Sequence, residues 1–201
     1  MENIDTIKEW LGTGSINIFG RPFAGKDTQG KKLADLFDAH IMGGGEILRN
    51  STISPRISEV LARGELIPSE DYVEIVLPYL SKPEFMGKPL ILSSVGRWIG
   101  EESGVMQALQ QANHDLKCVV YLDISEDEVR SRWHALKNHD DRHHRNDDTL
   151  EALEVRLTEY REKTLPVIEK YRELGLLVEM DGAGEVEDIH RNILVALANR
   201  A

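Results

Sequence analysis

The sequence has a single cysteine and no long apolar segment. The first feature argues against a protein stabilised by disulfides, and the second argues against a membrane-spanning protein. Cys118 has no partner within the chain for a disulfide, and its apolar neighbourhood, CVVYLDI, predicts a reduced core residue. No apolar run approaches the roughly 20 residues that a membrane-spanning helix needs. The N-terminal stretch MENIDTIKEWLGTGS is acidic and amphipathic, unlike a secretory signal peptide. The sequence therefore predicts a cytoplasmic protein without a membrane partner.

Positive charge is also scarce, because 24 lysines and arginines stand against 35 aspartates and glutamates, for a formal net charge of −11. Such a surface repels nucleic-acid backbones, so a nucleic-acid polymer is not an expected partner. A small anionic ligand is compatible with this charge where basic residues converge. Five arginines fall within 27 positions: Arg130, Arg132, Arg142, Arg145 and Arg156.

Apolar runs typical of strands alternate along the chain with segments of helical spacing, and no internal repeat is present. Strands are predicted at 16–19 and in KPLILSS, KCVVYLDI and LLVEMDG, and HIMGGGEILRNS predicts a strand or turn that leads into a helix. Helices are predicted at 4–11, 26–39, 57–63, from Ser69, from Ser125, over 149–174 with a break near Pro166, and at 186–199. This alternation predicts one α/β domain over 1–201, with a parallel sheet covered on both faces by helices.

The segment Gly20 to Lys26 matches G-x-x-x-x-G-K, directly after a predicted strand and directly before a predicted helix. In this context backbone N–H groups and the helix N-terminus bind phosphate, and Lys26 reaches the terminal phosphates of a donor nucleotide. The other interpretation is a plain glycine-rich turn between a strand and a helix. The position after the lysine normally carries a hydroxyl, but here it is Asp27, with Thr28 next.

The loop GRPFAGKDTQ resembles the GxPGxGKGTQ loop of adenylate kinases and related nucleoside monophosphate kinases. The resemblance implies a P-loop fold, ATP as the donor and Mg²⁺ as the cofactor, with Thr28 as a weak ligand of the ion. Phe23 and Asp27 replace two glycines of the family loop, and Asp27 is expected either to weaken nucleotide binding or to help hold the metal. The implied ATP-binding residues are Phe23, Ala24, Gly25, Lys26, Asp27, Thr28, Arg132, which would stack on adenine, and Gly184.

The resemblance extends to the acceptor side of the family's site. GGEILR is similar to the family's TGDLLR, GELIPSEDY to its G.LVPDE, and LILSSVGRWIGEE to its FILDGFPRT..QA. The implied acceptor-binding residues are Gly44, Arg49, Glu65, Ile67, Ser94, Arg97, Glu101, Arg145 and Arg156. Ser93 replaces the aspartate that organises Mg²⁺, and Glu101 replaces the glutamine that recognises adenine. Because an ionised carboxylate only accepts hydrogen bonds, Glu101 suits guanine better than adenine, or it points to solvent.

RNDDTLEALEVR is similar to the family's R.DD..E.I..R and supplies the arginines that stabilise the transferred phosphoryl group. The implied catalytic residues are Lys26, Arg97, Arg145 and Arg156. Asp147 and Asp148 belong to the hinge of the family's mobile lid. Only 12 residues separate Arg132 from Arg145, so a short lid is expected, and its histidines predict a solvated loop better than a metal site.

The sequence thus predicts a P-loop, three-layer α/β/α kinase with a small helical acceptor-binding insertion at about 43–72 and a short lid at about 133–146. The expected reaction is the transfer of a phosphoryl group from ATP to a nucleoside monophosphate by a monomer. No general base is expected, because the acceptor is already an ionised phosphate. Two alternatives stay open at this point: a catalytically degenerate nucleotide-binding regulator and a kinase for a non-nucleotide acceptor.

Overall fold

A parallel sheet forms the centre of the protein, in a computed structural model that describes residues 4–62, 69–137 and 149–201. Within these residues the sheet has five strands in the order β2-β3-β1-β4-β5. All four pairings of neighbouring strands are parallel. The strands are β1 Ser15–Gly20, β2 His40–Gly43, β3 Leu90–Ser93, β4 Leu116–Asp123 and β5 Leu177–Asp181. The predicted α/β fold with a parallel sheet is therefore confirmed.

Helices cover the sheet on both faces, as the apolar character of its strands requires. The α-helices of the described residues are α1 Ile4–Leu11, α2 Lys26–Phe37, α3 Gly44–Asn50, α4 Pro55–Ala62, α5 Ser69–Leu80, α6 Glu101–Gln111, α7 Glu126–Lys137, α8 Leu150–Glu159, α9 Leu165–Glu173 and α10 Val186–Ala198. A short 3₁₀ turn covers Pro83–Phe85, and a π-helical turn, Tyr160–Thr164, joins α8 to α9. No helix in this part of the chain is both long and apolar enough to span a membrane.

Alternation along the strands sends successive side chains to opposite faces of the sheet. In β4, Cys118 and Val120 pack with α1, α2 and α10, whereas Val119 and Tyr121 pack with α9 and the π-helical turn. A separate buried cluster joins β3 to α3, α4, α5 and α6. Cys118 is fully buried, as expected of a reduced core residue, and burial raises the pKa of its thiol to about 12.

One helix was not predicted, and one predicted break in a helix is confirmed. Helix α6 was not predicted between the strands β3 and β4, since Gly100 and Gly104 weaken the helical pattern there. The break predicted near Pro166 in the long helix over 149–174 is confirmed. The π-helical turn ends at Thr164, two residues before this proline, whose missing N–H removes one regular hydrogen bond. The predicted lid, the hinge pair Asp147 and Asp148, and residues 63–68 of the acceptor insertion lie wholly or largely outside the described residues.

Candidate active site

The loop that follows β1 has the local geometry of a phosphate-binding loop. A Cβ atom on Gly20 would lie 2.7 Å from the carbonyl oxygen of Leu122 on the neighbouring strand, so only glycine fits there. Gly25 precedes α2 with a φ of 89°, a left-handed conformation that glycine adopts without strain. The loop therefore turns tightly and leads its backbone into the N-terminus of α2, where N–H groups without helical partners favour an anion.

Lys26 begins α2 and is held inward across this loop. Its Nζ atom donates a hydrogen bond to the carbonyl oxygen of Arg21 at 2.9 Å. Burial lowers the pKa of Lys26 to about 8; the neighbouring Asp27 opposes this shift, and the positive charge of Arg97 adds to it. Repulsion between the two cations would be relieved by an anion bound near both.

Phe23 occupies a backbone conformation that its side chain disfavours. Its φ is 63°, in the left-handed region where a residue with a Cβ is strained by about 1–2 kcal/mol. Its carbonyl oxygen accepts a hydrogen bond from Nη1 of Arg132 at 3.1 Å, and its ring packs against the core. Phe23 thus adopts a left-handed backbone conformation that glycine would adopt without strain.

Arg132 lies on α7 and connects the phosphate loop to the end of β5. Its Nε atom donates to Glu128 at 2.7 Å, and its Nη2 atom donates to the carbonyl oxygen of Gly182 at 2.8 Å. With Phe23, these partners all lie around the edge of the guanidinium plane, which leaves its face suited to stacking. Gly184, predicted as a backbone contact, lies two residues further along this loop and is exposed.

Asp27, on the first turn of α2, and Ser93, at the end of β3, are in contact. Ser93, the last residue of β3, donates a hydrogen bond from its hydroxyl to Oδ1 of Asp27 at 3.1 Å. Asp27 and Thr28 are exposed on the first turn of α2. The carboxylate on α2 therefore stands directly beside Ser93, the strand-end position at which the resemblance implies an aspartate.

The loop that follows β3 is fixed by a buried asparagine of β1. Asn17 donates from Nδ2 to the carbonyl oxygen of Val95 at 2.8 Å and accepts from the N–H of Val95 at 3.3 Å. Ser94 has a φ of 51°, and a Cβ on Gly44 would lie 3.1 Å from its carbonyl oxygen. Replacement of the family threonine by Gly44 therefore coincides with a close approach of this loop, which presents Arg97 to solvent.

Glu101 lies at the start of α6 with only 5% of its surface exposed. Its Oε2 atom accepts a hydrogen bond from the N–H of Trp98 at 3.1 Å. One carboxylate oxygen thus has a partner within the protein. Recognition of an acceptor base by Glu101 stays a prediction.

The described residues bring part of the predicted site together, and the other predicted residues lie elsewhere or outside the described part of the chain. Lys26, Asp27, Thr28, Ser93 and the Ser94–Arg97 loop meet at the carboxyl ends of the adjacent strands β1 and β3. Arg156 is partly buried on α8. Glu65, Ile67, Arg145 and the side chain of Arg49 lie outside what the structure describes.

Sequence reasoning missed Arg21, whose side chain contacts Tyr121, Asp123 and Ile124 at the end of β4. The available signal was a charged residue inside a glycine-rich loop. The partners could not be inferred from it, because they lie about a hundred positions further along the chain.

These features define a nucleotide-binding protein of the P-loop class. The family model described as "Adenylate kinase" matches residues 18–176. A curated adenylate kinase of Azobacteroides pseudotrichonymphae is 30% identical over 92% of this chain and 97% of its own length. The adenylate kinase of Clavibacter michiganensis is 30% identical over 91% and 92%, and that of Methanosarcina acetivorans 26% identical over 93% and 100%.

The chain belongs to the adenylate kinase family. It is an ATP-dependent nucleoside monophosphate kinase, which transfers the terminal phosphoryl group of ATP to a nucleoside monophosphate. The alternative of a catalytically degenerate regulator has no support in these comparisons.

Proposed function

We propose that AMP is the acceptor, that Mg²⁺ accompanies ATP, and that transfer takes place between the loops that follow β1 and β3. The observation that carries this proposal is the hydrogen bond between Ser93, at the end of β3, and Asp27, the neighbour of Lys26, which brings the two loops together. Lys26 is partly buried there, and Arg97 is exposed. The names of the curated relatives support AMP, since each is an adenylate kinase.

Phosphoryl transfer needs aligned reactants and positive charge around the moving group, with little covalent chemistry from the protein. Lys26 would bind the terminal phosphates of ATP from the donor side, and Arg97 would bind the acceptor phosphate. Arg145 and Arg156 are proposed to approach the moving group from the lid side. The acceptor phosphate is the nucleophile, so these residues orient the reactants without removing a proton.

Donor binding is proposed to use the backbone of Phe23, Ala24, Gly25 and Thr28, together with the face of Arg132. The three hydrogen bonds of Arg132 to Glu128, Phe23 and Gly182 fix the plane of its guanidinium group. A fixed plane favours stacking, because the side-chain entropy is already lost before the base arrives. The adenine of ATP would lie between this plane and the loop that contains Gly184.

The oxygen atoms beside the phosphate loop fit Mg²⁺. Mg²⁺ takes about six oxygens, usually one or two protein groups with waters and substrate phosphates. Asp27 offers an exposed carboxylate that accepts a hydrogen bond from the hydroxyl of Ser93. Thr28 adds a second hydroxyl one residue further along α2. We propose that Thr28 and Asp27 hold the ion, which would neutralise charge on the phosphates. In this arrangement Asp27 compensates for the absence of a carboxylate at Ser93.

The acceptor is proposed to bind between the Ser94–Arg97 loop and the insertion at about 43–72. Arg49 would bind the phosphate, and the backbone of Glu65 and Ile67 would contact the base. The backbone carbonyl oxygen of Ser94 lies close to Gly44, and its hydroxyl is directed to the carbonyl oxygen of Ile18 at 3.4 Å.

GMP is the second candidate acceptor because of one residue. Glu101 has a carboxylate where the related kinases have a glutamine, and an ionised carboxylate accepts two hydrogen bonds from guanine. Against this, Oε2 of Glu101 already accepts a hydrogen bond from Trp98, and the side chain is buried. We therefore rank AMP first.

A coupled assay with ATP and Mg²⁺ over AMP, GMP, CMP, UMP and dTMP tests the acceptor. We expect kcat/KM for AMP to exceed that for every other acceptor by about tenfold or more, a difference of about 1.4 kcal/mol in transition-state binding. The Lys26→Met variant, purified in parallel, measures contamination by the host's own kinase. A preference for GMP that is lost in Glu101→Gln would replace AMP by the second candidate.

We further propose that the enzyme acts as a monomer in the cytoplasm, because the expected site uses residues of one chain and both substrates are cytoplasmic metabolites. Light scattering during turnover checks the oligomeric state.

A further inference from the structure

Arg21 is a charged residue inside the phosphate loop, yet its side chain is directed to the end of the neighbouring strand β4. Its Nη1 atom donates to Oδ1 of Asp123 at 2.7 Å, to the carbonyl oxygen of Ile124 at 2.9 Å and to the hydroxyl of Tyr121 at 3.3 Å. The side chain is 15% exposed. The guanidinium group is thus held at the end of β4.

The main chain of Arg21 contacts the proposed catalytic lysine. Its carbonyl oxygen accepts hydrogen bonds from Nζ of Lys26 at 2.9 Å and from the N–H of Ala24 at 3.2 Å. These bonds close the loop around Phe23, which has a strained backbone. A movement of Arg21 would therefore displace the lysine and change the turn together.

Arg21 also reaches the π-helical turn that follows α8. Its guanidinium carbon lies 5.3 Å from the centroid of the Tyr160 ring, within the range of a cation–π contact. The same turn contacts the loop after β3, since Nζ of Lys163 lies 4.1 Å from the centroid of the Trp98 ring. This turn therefore connects α8, which carries Arg156, to both proposed reacting loops.

We propose that Arg21 is a positioning residue, whose side chain anchors the phosphate loop to β4 and to the π-helical turn so that its carbonyl oxygen places Lys26. This inference rests on the proposed role of Lys26 in catalysis. The competing role for a cation in this loop is direct binding of donor phosphate. The two roles differ in how the anchor at Asp123 affects catalysis.

The decisive experiment is a double-mutant cycle of Arg21→Ala and Asp123→Asn, measured as kcat and as KM for each substrate. If Arg21 acts through its anchor, Arg21→Ala lowers kcat by about tenfold or more, since a misplacement of about 1 Å at a reacting group costs up to a hundredfold. Asp123→Asn then lowers kcat in the same direction. The double variant is no slower than Arg21→Ala alone, because both changes remove one interaction. The KM for the acceptor stays within about twofold.

Direct phosphate binding gives the opposite pattern. Asp123→Asn would then release the guanidinium group, lower the KM for ATP and leave kcat unchanged or raised. Losses that multiply in the double variant, or a kcat of Arg21→Ala within about twofold of the parent, would equally overturn the proposal. If Lys26→Met loses activity while Arg21→Ala does not, only the positioning role fails; if both retain activity, the proposed site itself is wrong.

Arg200→Ala is the matched control for loss of a structural arginine. Arg200 is partly buried and donates to the carbonyl oxygens of Gly175 and Leu177 at 3.1 and 2.7 Å, on the far edge of the sheet. Its removal should lower the melting temperature without a change in kcat. Arg21→Lys adds a second check: lysine retains the charge but not the planar group over Tyr160, so it should restore kcat only in part. Full restoration would show that charge alone matters and would count against the anchor.

Discussion

The loops that follow β1 and β3 leave neighbouring strands side by side, but they hold their cations in different ways. In the first, Lys26 is drawn inward to the carbonyl oxygen of Arg21, and burial lowers its pKa to about 8. In the second, Asn17 fixes the backbone at Val95, and Arg97 extends into solvent. Lys26 therefore loses hydration free energy in the first loop, and a bound polyphosphate would offset this loss.

Lys26 and Arg97 differ in how readily they lose their positive charge. A buried lysine can lose its proton near neutral pH, whereas an arginine keeps its charge throughout the physiological range. The affinity for the donor should therefore depend on pH and on neighbouring carboxylates. The affinity for the acceptor should depend mainly on the shape of its binding loop.

Replacement of Lys26 by methionine should have the largest effect. We expect kcat to fall about a hundredfold or more, a loss of about 3 kcal/mol in transition-state stabilisation. The melting temperature at pH 7 should rise, because the folded-state pKa of Lys26 lies below its unfolded value of 10.5. The charged lysine therefore destabilises the fold below pH 8, and this cost disappears as the pH rises from 8 to 10.5. Calorimetry and a coupled assay measure both effects, and a stable variant with near-normal turnover would show that the loop is not catalytic.

The pH dependence of binding should distinguish donor from acceptor. Bound phosphates raise the pKa of Lys26 above its free value of about 8, so ATP binding takes up a proton. Affinity for a non-hydrolysable ATP analogue should be complete below pH 8. Above pH 8 it should fall up to about tenfold per pH unit, until the pKa of the complex is passed. AMP affinity should stay constant, because Arg97 stays charged. Titration calorimetry from pH 7 to 9.5 checks this, and a parallel loss for both ligands would contradict the comparison.

Asp27→Gly should raise the Mg²⁺ concentration for half-maximal activity several-fold, although it restores the residue of the related kinases. The reason is the proposed contribution of this carboxylate, beside Ser93, to the metal site. In the absence of Mg²⁺ the same change should tighten ATP binding, because a negative charge next to the phosphates is removed. Asp38→Asn is the control, since Asp38 is exposed and pairs with Lys88 away from the site. An unchanged or lowered Mg²⁺ midpoint would show that Asp27 only favours the N-terminus of α2 electrostatically.

Ser94→Gly should have the smallest effect, an increase of about 0.5–1 kcal/mol in the free energy of unfolding. The φ of Ser94 is 51°, which glycine adopts without strain. Ser51→Gly, at a φ of −100°, should lower stability and serves as the control. Phe23→Gly should also lower it, because the relief of strain is smaller than the loss of the ring's contacts with the core. Urea denaturation of the three variants checks whether only Ser94→Gly is more stable than the parent protein. A stabilised Phe23→Gly would show that strain dominates over packing in both loops.

The sequence predicts the phosphate loop well because the loop is local. A strand, two glycines, a lysine and a helix follow one another without interruption, so no tertiary contact is needed to recognise them. The contact between Asp27 and Ser93 joins residues 66 positions apart and depends on β3 lying beside β1. The direction of the Arg21 side chain likewise depends on β4 lying on the other side of β1. The order of strands is not encoded in any short segment, so neither contact could be predicted.

Helix α6 shows the same limit at the level of secondary structure. An interior glycine such as Gly104 costs about 1 kcal/mol relative to alanine, which weakens the local signal. The helix forms because Val105, Ala108 and Leu109 are fully buried in the cluster around β3. Burial of three apolar side chains outweighs the propensity of one glycine. Tertiary packing therefore decides this element.

The inaccessible thiol at Cys118 has a practical consequence for spectroscopy. It is the one cysteine of the sequence, and a pKa of about 12 leaves almost no thiolate to react with a maleimide near neutral pH. A pair of cysteines introduced at the exposed Met86 and Val155 would therefore be labelled without background. Energy transfer between fluorophores at these two positions would then report, molecule by molecule, how nucleotides change the distance between α8 and the edge of the acceptor side.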